Sequence, residues 1–225
     1  MYVNAQSLLG NFNELILLTE SRNIDILCIT ETWLDSNILD SFISIPGFNI
    51  FRHDKGRGGG ACIYVRDDLH VKILETNINK DHEIKIEDVW LTVQARKLPS
   101  FIVGCVYRHP KAHVQSFNYL TEVFRSVCLK KKAIYIFGDF NDNMFDGNNK
   151  MHKVIENSKL SLMNNKPTRI TQHSSTLIDL LLTNSPNTVI HTDTIPGPIA
   201  DHELVSASID IKKPKRQPVS KTFRS

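Results

Sequence analysis

Apolar residues fall along this chain in runs of strand length, most with turn-forming residues close by. Ile24–Thr30, Ala61–Val65, Val89–Val93, Phe101–Tyr107, Ala133–Phe137, Ile178–Leu182 and Leu204–Ile211 each predict a strand. Several are almost continuously apolar, the pattern of strands covered on both faces. Two stretches repeat at helical spacing instead. Leu8, Phe12, Leu15, Ile16 and Thr19 share one face. Phe117, Leu120, Phe124 and Val127 share another, with Ser116 placed as N-cap. Residues 149–160 predict a third helix. Many strands, few helices and one core imply an α/β sandwich, two packed sheets with helices outside.

Composition fits that picture. The 225 residues suffice for one well-filled domain, and 41% hydrophobic with 23% charged residues is ordinary for a soluble globular chain. No apolar run reaches the roughly 18 residues of a membrane span. Met1-Tyr2-Val3-Asn4-Ala5-Gln6 has no charged region leading into an apolar one, so it does not read as a secretory signal. An intracellular protein without membrane contact is the expectation. Cys28, Cys62, Cys105 and Cys128 lie far apart in apolar stretches and match no zinc spacing, which predicts reduced core thiols.

The formal charge of +3 hides an asymmetry. Residues 212–225 hold six Lys and Arg and no acid, leaving 21 basic against 24 acidic residues over 1–211. The domain expected at 1–211 is therefore not a generally basic nucleic-acid binder, and attraction for a polyanion would need a local patch, a metal or the tail. Residues 212–225, proline-broken and basic, predict a disordered tail. A nuclear-localisation signal, a phosphate-binding patch and a linker remnant all fit it.

Polar residues recur at the ends of the strand-like runs. Asn4 follows a strand stub, and Glu31 closes Ile-Asp-Ile-Leu-Cys-Ile-Thr. Tyr107 and Arg108 close Phe-Ile-Val-Gly-Cys-Val. Asp139 and Asn141 follow Ala-Ile-Tyr-Ile-Phe-Gly, Asp179 interrupts an apolar strand, and Asp201-His202 precede the last one. Taken singly, Gly-Asp-Phe-Asn is a turn, a loop His is solvated, and a strand-end Tyr shows its hydroxyl at the surface. Asp179 resists such a reading, because a carboxylate within a buried strand needs a partner or a metal. Asp139 and Asn141 point the same way if their strand continues. Carboxylates, an amide, a Tyr and a His at strand ends suit metal-assisted chemistry on phosphate, with oxygen ligands for Mg²⁺ and a neutral imidazole as base.

The ordered set Asn4, Glu31-Thr32-Trp33, Val106-Tyr107-Arg108, Gly138-Asp139-Phe140-Asn141, Ile178-Asp179 and Asp201-His202 resembles the endonuclease/exonuclease/phosphatase superfamily. Within it the chain is most similar to the endonuclease domain of LINE-type, non-LTR retrotransposons. Asn-Ala-Gln-Ser-Leu at 4–8, Thr-Glu-Thr-Trp-Leu at 30–34, Arg-Gly-Gly-Gly at 57–60 and Ser-Thr-Leu-Ile-Asp-Leu at 175–180 add to the likeness.

The resemblance implies a DNase I-like four-layer α/β sandwich, its two mainly antiparallel or mixed sheets flanked by helices. It implies a Mg²⁺-dependent endonuclease, with Mn²⁺ as alternative ion, that nicks one DNA strand to leave a 3′-hydroxyl. Glu31 would be the principal metal ligand, with Asn4 and Asp201 nearby. His202 would take the proton from water, Asp179 would hold its imidazole, and Asp139 would act on nucleophile or leaving group. Asn141 and Tyr107 would bond the phosphate, with Arg108 a lesser contact. A hairpin at 168–177 would bring Thr168, Arg169, His173 and Ser174 to the DNA backbone. Gly58-Gly59-Gly60 lacks the Gly-Lys-Ser/Thr of a P-loop and reads as a turn.

The likeness further implies a nuclear protein, no small-molecule cofactor and a reverse transcriptase as partner outside this chain. Only Met1-Tyr2-Val3 precede Asn4, so the first strand reads as truncated, and Leu204 follows Asp-His-X where lipid-cleaving relatives carry Pro. A phosphatase or lipid phosphodiesterase, and a catalytically dead retrotransposon fragment, are the competing expectations.

Overall fold

The computed structural model describes residues 1–76, 78, 84–197 and 201–211; the predicted basic tail lies outside them. The first half of the chain forms β1 (Tyr2–Asn4), α1 (Phe12–Ser21), β2 (Ile26–Thr30), β3 (Phe48–His53), β4 (Ala61–Arg66), β5 (His70–Ile73), β6 (Ile86–Gln94) and β7 (Phe101–Arg108). The second half adds α2 (Ser116–Cys128), β8 (Ile134–Asp139), α3 (Met151–Asn157), β9 (Ser161–Leu162), β10 (Arg169–Ile170), β11 (Ser175–Thr176), β12 (Asp179–Thr183), β13 (Val189–Ile195) and β14 (Leu204–Ile209).

Twelve of the strands form two six-stranded sheets, in the orders β13-β14-β1-β2-β4-β3 and β5-β6-β7-β8-β12-β9. Each sheet has one parallel pair, β1 with β2 and β7 with β8. Parallel neighbours need a crossover, and α1 and α2 supply it. The short β10–β11 hairpin stands apart.

Period-two alternation sorts the side chains into layers. On β8, Tyr135 and Phe137 enter a core shared with Val103 and Cys105 of β7, Leu181 of β12, and Tyr2, Cys28 and Val205 of the other sheet. Ile134 and Ile136 point the opposite way, onto Leu120, Phe124 and Val127 of α2 and Val154 of α3. On the far side Val3, Leu27 and Ile29 meet Leu15 and Leu18 of α1. Helix, sheet, sheet and helices make the four-layer α/β sandwich expected from sequence, of DNase I-like type. Gly104 on β7 is needed opposite Trp90 of β6, because a Cβ there would meet the indole.

Each of the seven apolar runs forms a strand near its expected limits. β3, β5, β9 and β13 were not predicted. The first three carry mostly part-exposed residues, and β13 shows Ile190 to solvent. They lie at sheet edges or next to them, where no apolar run is required. α1 starts only at Phe12, so Leu8 is buried ahead of the helix, and Leu18 rather than Ile16 lies buried with Leu15. Ser116 is not the cap of α2. Gln115 occupies that place, and the Ser116 hydroxyl accepts a hydrogen bond from the buried Arg108 Nε at 2.7 Å. All four cysteines are free, three of them buried, and burial pushes the Cys62 and Cys105 thiols up.

Candidate active site

The same alternation that fills the inter-sheet core builds the site at one end of it. Asn4 shares a face with Tyr2, Asp179 with Leu181, and Asp139 with Phe137 and Tyr135. The register sets Asp139 opposite Asp179 in adjacent strands and Tyr107 beside Asp139, while Asn4 pairs with Thr30 just before Glu31. Carboxylates far apart in sequence therefore converge where the strands stop.

Asn4 joins two of them. Its Nδ2 donates to Glu31 Oε1 at 2.9 Å and to Asp139 Oδ2 at 3.0 Å. Glu31 leaves the sheet at φ 50°, Trp33 follows at φ 56°, and the Trp33 indole N–H reaches Glu31 Oε2 at 3.3 Å. Such left-handed geometry in bulky residues costs about 1–3 kcal/mol each and persists only where neighbours enforce it. The enforcing neighbour is the glycine turn at 58–60. Trp33 N–H donates to the Gly59 carbonyl, and Gly60 (φ 94°) lies too close to the Thr32 hydroxyl for any side chain. The turn expected there thus braces Glu31.

His202 and Asp179 form a dyad. Nδ1 of the imidazole donates to Asp179 Oδ2 at 2.8 Å, with both residues almost wholly buried. Asp179 is itself braced. Its backbone N–H donates to the Thr168 hydroxyl, its carbonyl accepts from Asn164 Nδ2 at 2.9 Å, and its Oδ1 accepts the Tyr2 hydroxyl at 2.8 Å. The β10–β11 hairpin positions the imidazole, since Arg169 bridges His202, and the Glu203 and Ile170 N–H groups donate to Thr168 and Asp201 carbonyls. Asp201 is gripped by Gln6 Nε2 at 2.9 Å and Arg169 Nε at 2.8 Å, and lies 3.8 Å from His202 Nε2.

Charge is concentrated here. Burial, and then the nearby Asp179, push the Asp139 carboxyl up to about 8. Burial alone would lower the His202 imidazole, but Asp179 outweighs it and raises the group to about 9. Tyr107 is buried with its hydroxyl beside Glu31; burial, then Glu31 and Asp139, hold its proton on. Asp139, Asp179 and His202 offer ligand atoms within 4.8 Å of one another, a buried group able to hold a metal ion. Two carboxyl groups and an imidazole at this spacing are a donor set that a divalent cation could take in exchange for their protons.

The structure thus brings Asn4, Glu31, Tyr107, Asp139, Asn141, Asp179, Asp201 and His202 together. It does not place every expected residue there in the expected way. The strand ends at Asp139, and Asn141 sits at φ 47°, so the two do not share a strand face; the Asn141 N–H donates to Asp139 Oδ1 and its Nδ2 to the Arg108 carbonyl. The Arg108 guanidinium turns inward, bonding Ser116, Phe140 and Ala112 and lying 4.2 Å over the Phe117 ring. Thr168 is buried, its hydroxyl taken by two backbone N–H groups. Arg169 holds Asp201, while Ser174 bonds Thr171 at the exposed hairpin turn, beside exposed His173. Sequence reasoning passed over Tyr2, Gln6, Thr30 and Asn164. For Tyr2 a signal existed, since it stands two residues before Asn4 on the same strand face.

The family described as Endonuclease/Exonuclease/phosphatase family matches residues 1–202. No curated protein matches the chain. Among solved structures, the endonuclease domain of TRAS1, a telomere-specific non-LTR retrotransposon, is similar with a TM-score of 0.72 at 18% identity, covering 94% of this chain and 97% of that one. A 3′ phosphatase, NExo, from Neisseria bound to product DNA hairpin has a TM-score of 0.70 at 14% identity, covering 93% and 98%. An AP endonuclease from Archaeoglobus fulgidus has the same score at 12% identity and the same coverage. Likeness at these identities extends to the fold. The buried Asp/Asp/His cluster is consistent with metal-dependent phosphodiester hydrolysis.

Proposed function

The chain belongs to the endonuclease/exonuclease/phosphatase family, and on that premise we propose that it is a Mg²⁺-dependent DNA endonuclease that nicks one strand and leaves a 3′-hydroxyl. The observation that carries the reading is the buried His202–Asp179 dyad set against Asp139, with Asn4 linking Asp139 to Glu31. That arrangement supplies a base, a second carboxylate and a ligand set within one cluster at the strand ends.

In this reading His202 Nε2 removes a proton from water, since Nδ1 is committed to Asp179, which stabilises the imidazolium as it forms. Asp139 holds or deprotonates the nucleophile, or assists the leaving oxygen. Asn141 and Tyr107 donate to the phosphate as negative charge develops. Glu31, with Asn4 and Asp201 close by, would hold Mg²⁺ or Mn²⁺, which supplies positive charge for a phosphate oxygen. His202 and Asp139, raised to about 9 and about 8, keep their protons near neutral pH, and a cation held by Glu31 would supply positive charge that favours the base form of the imidazole.

The retrotransposon reading rests on the ordered motifs and is supported by the fold shared with the TRAS1 domain. It makes DNA the partner, the nucleus the place of action and a reverse transcriptase the user of the new 3′-hydroxyl. No helix of the described residues is long and apolar enough to cross a membrane.

The test is conversion of supercoiled to open-circular plasmid by purified protein, with Mg²⁺, with EDTA, and with His202→Ala. Nicking lost in both controls supports the reading. Release of phosphate from 3′-phosphorylated DNA without nicking would replace it with a phosphatase. Neither activity, in a folded protein that binds no metal, would mean a decayed enzyme.

A further inference from the structure

Asp179 spends both carboxylate oxygens inside the protein. Oδ2 accepts the His202 Nδ1–H, and Oδ1 accepts the Tyr2 hydroxyl, each at 2.8 Å. A phenol has one proton to give. Because Tyr2 gives it to Asp179, the 2.7 Å contact between the Tyr2 and Thr30 hydroxyls must be donated by Thr30. A directed chain results, from Thr30 through Tyr2 to Asp179, meeting the imidazole from the opposite side. Thr30, Tyr2 and Asp179 are fully buried, so water does not compete for these bonds. The chain also crosses between sheets. Tyr2 and Thr30 belong to β1 and β2 of one, Asp179 to β12 of the other.

We propose that Tyr2 is a positioning residue for the His202–Asp179 dyad. Its hydroxyl fixes the rotation of the Asp179 carboxylate, so that Oδ2 stays on Nδ1 and the ring keeps its orientation with Nε2 on the side of Asp201. The catalytic consequence rests on the function proposed above; the hydrogen-bond chain itself does not. Without the hydroxyl, Oδ1 would be a buried acceptor with no donor. The carboxylate would then be free to turn away from the ring.

Tyr2→Phe removes one oxygen and keeps the ring packed in the inter-sheet core. The first readout needs neither metal nor activity: exchange of the His202 Nδ1 proton with water, followed by NMR in protein labelled with ¹⁵N at the imidazole. Exchange should accelerate about tenfold or more, the weight of one charge-assisted hydrogen bond. Unchanged exchange would overturn the proposal. The second readout is plasmid nicking, where kcat should fall about 10–100-fold with KM unchanged. A raised KM with kcat intact would also overturn it, since that would make Tyr2 a substrate-binding or merely structural residue. If the wild-type protein cleaves no DNA, the failure belongs to the proposed nuclease function, and proton exchange alone decides the relay. Should Tyr2→Phe fail to fold, Thr30→Val carries the test. A smaller acceleration in the same direction supports the chain, and none refutes it.

Discussion

Asp139 is an acid that burial holds protonated well above its ordinary range, and Asp139→Asn turns that shift into a measurement. In the metal-free protein, burial and then Asp179 raise its carboxyl from 3.8 to about 8. Between those values the folded chain keeps the proton and the unfolded chain releases it. Stability from this group is therefore full below the unfolded value and falls as pH rises toward 8. The slope is about 1.4 kcal/mol per pH unit, so from pH 5 to 8 the loss is on the order of 3–4 kcal/mol.

Asparagine cannot titrate and keeps the shape. It retains an oxygen for the Asn141 N–H but presents an amide, not an acceptor, to Asn4, at a cost of about 1 kcal/mol. The variant should thus be slightly less stable than wild type only near pH 4 and below, with the gap in its favour widening from pH 5 to 8. Urea unfolding in EDTA at unit pH steps reads this directly. Parallel stability curves for the two proteins would refute the reasoning and show that Asp139 is ionised across the range. Nicking should be lost in the variant throughout.

His202→Ala and Glu31→Ala should each abolish nicking, by roughly 10²-fold or more, while the cooperative melt survives; full activity in either would remove that residue from its proposed role. Mg²⁺ should raise Tm in wild type, and more at pH 8 than at pH 6, because an ion on Glu31 and Asp201 lies beside Asp139 and His202 and is opposed by their protons; a pH-independent shift would place the ion away from these two groups. His202 adds its own window. Its raised value means stability present below its ordinary 6.5 and lost as pH climbs through about 9, so in EDTA His202→Gln should flatten the decline over that interval. Gly104→Ala drives a methyl into the Trp90 ring and should cost about 1–3 kcal/mol in urea unfolding with nicking per folded molecule unchanged.

The sequence by itself determined the central strands. Ala133–Phe137 and Phe101–Tyr107 are apolar on both faces because each lies between a sheet and a helix layer, and that double burial is written into consecutive residues. The polar residues that close such runs, Asn4, Glu31 and Asp139, were legible for the same reason: a buried strand that ends in a carboxylate or amide breaks its own pattern. The outer strands left no such trace, since β3 and β13 need bury only part of their residues.

Tertiary structure alone decided which of those polar groups touch. Asp139 and Asp179 are 40 residues apart, and only antiparallel pairing of β8 with β12 sets them opposite each other. Arg108 and Thr168 looked from sequence like hands for phosphate. A guanidinium and a hydroxyl bond whatever the fold brings within reach, and here that is Ser116, Phe140 and the backbone of Asp179. Tyr2 shows the converse. Its hydroxyl gains a role only because packing two sheets about 10 Å apart carries a phenol from one across to a carboxylate on the other, a distance no local pattern records.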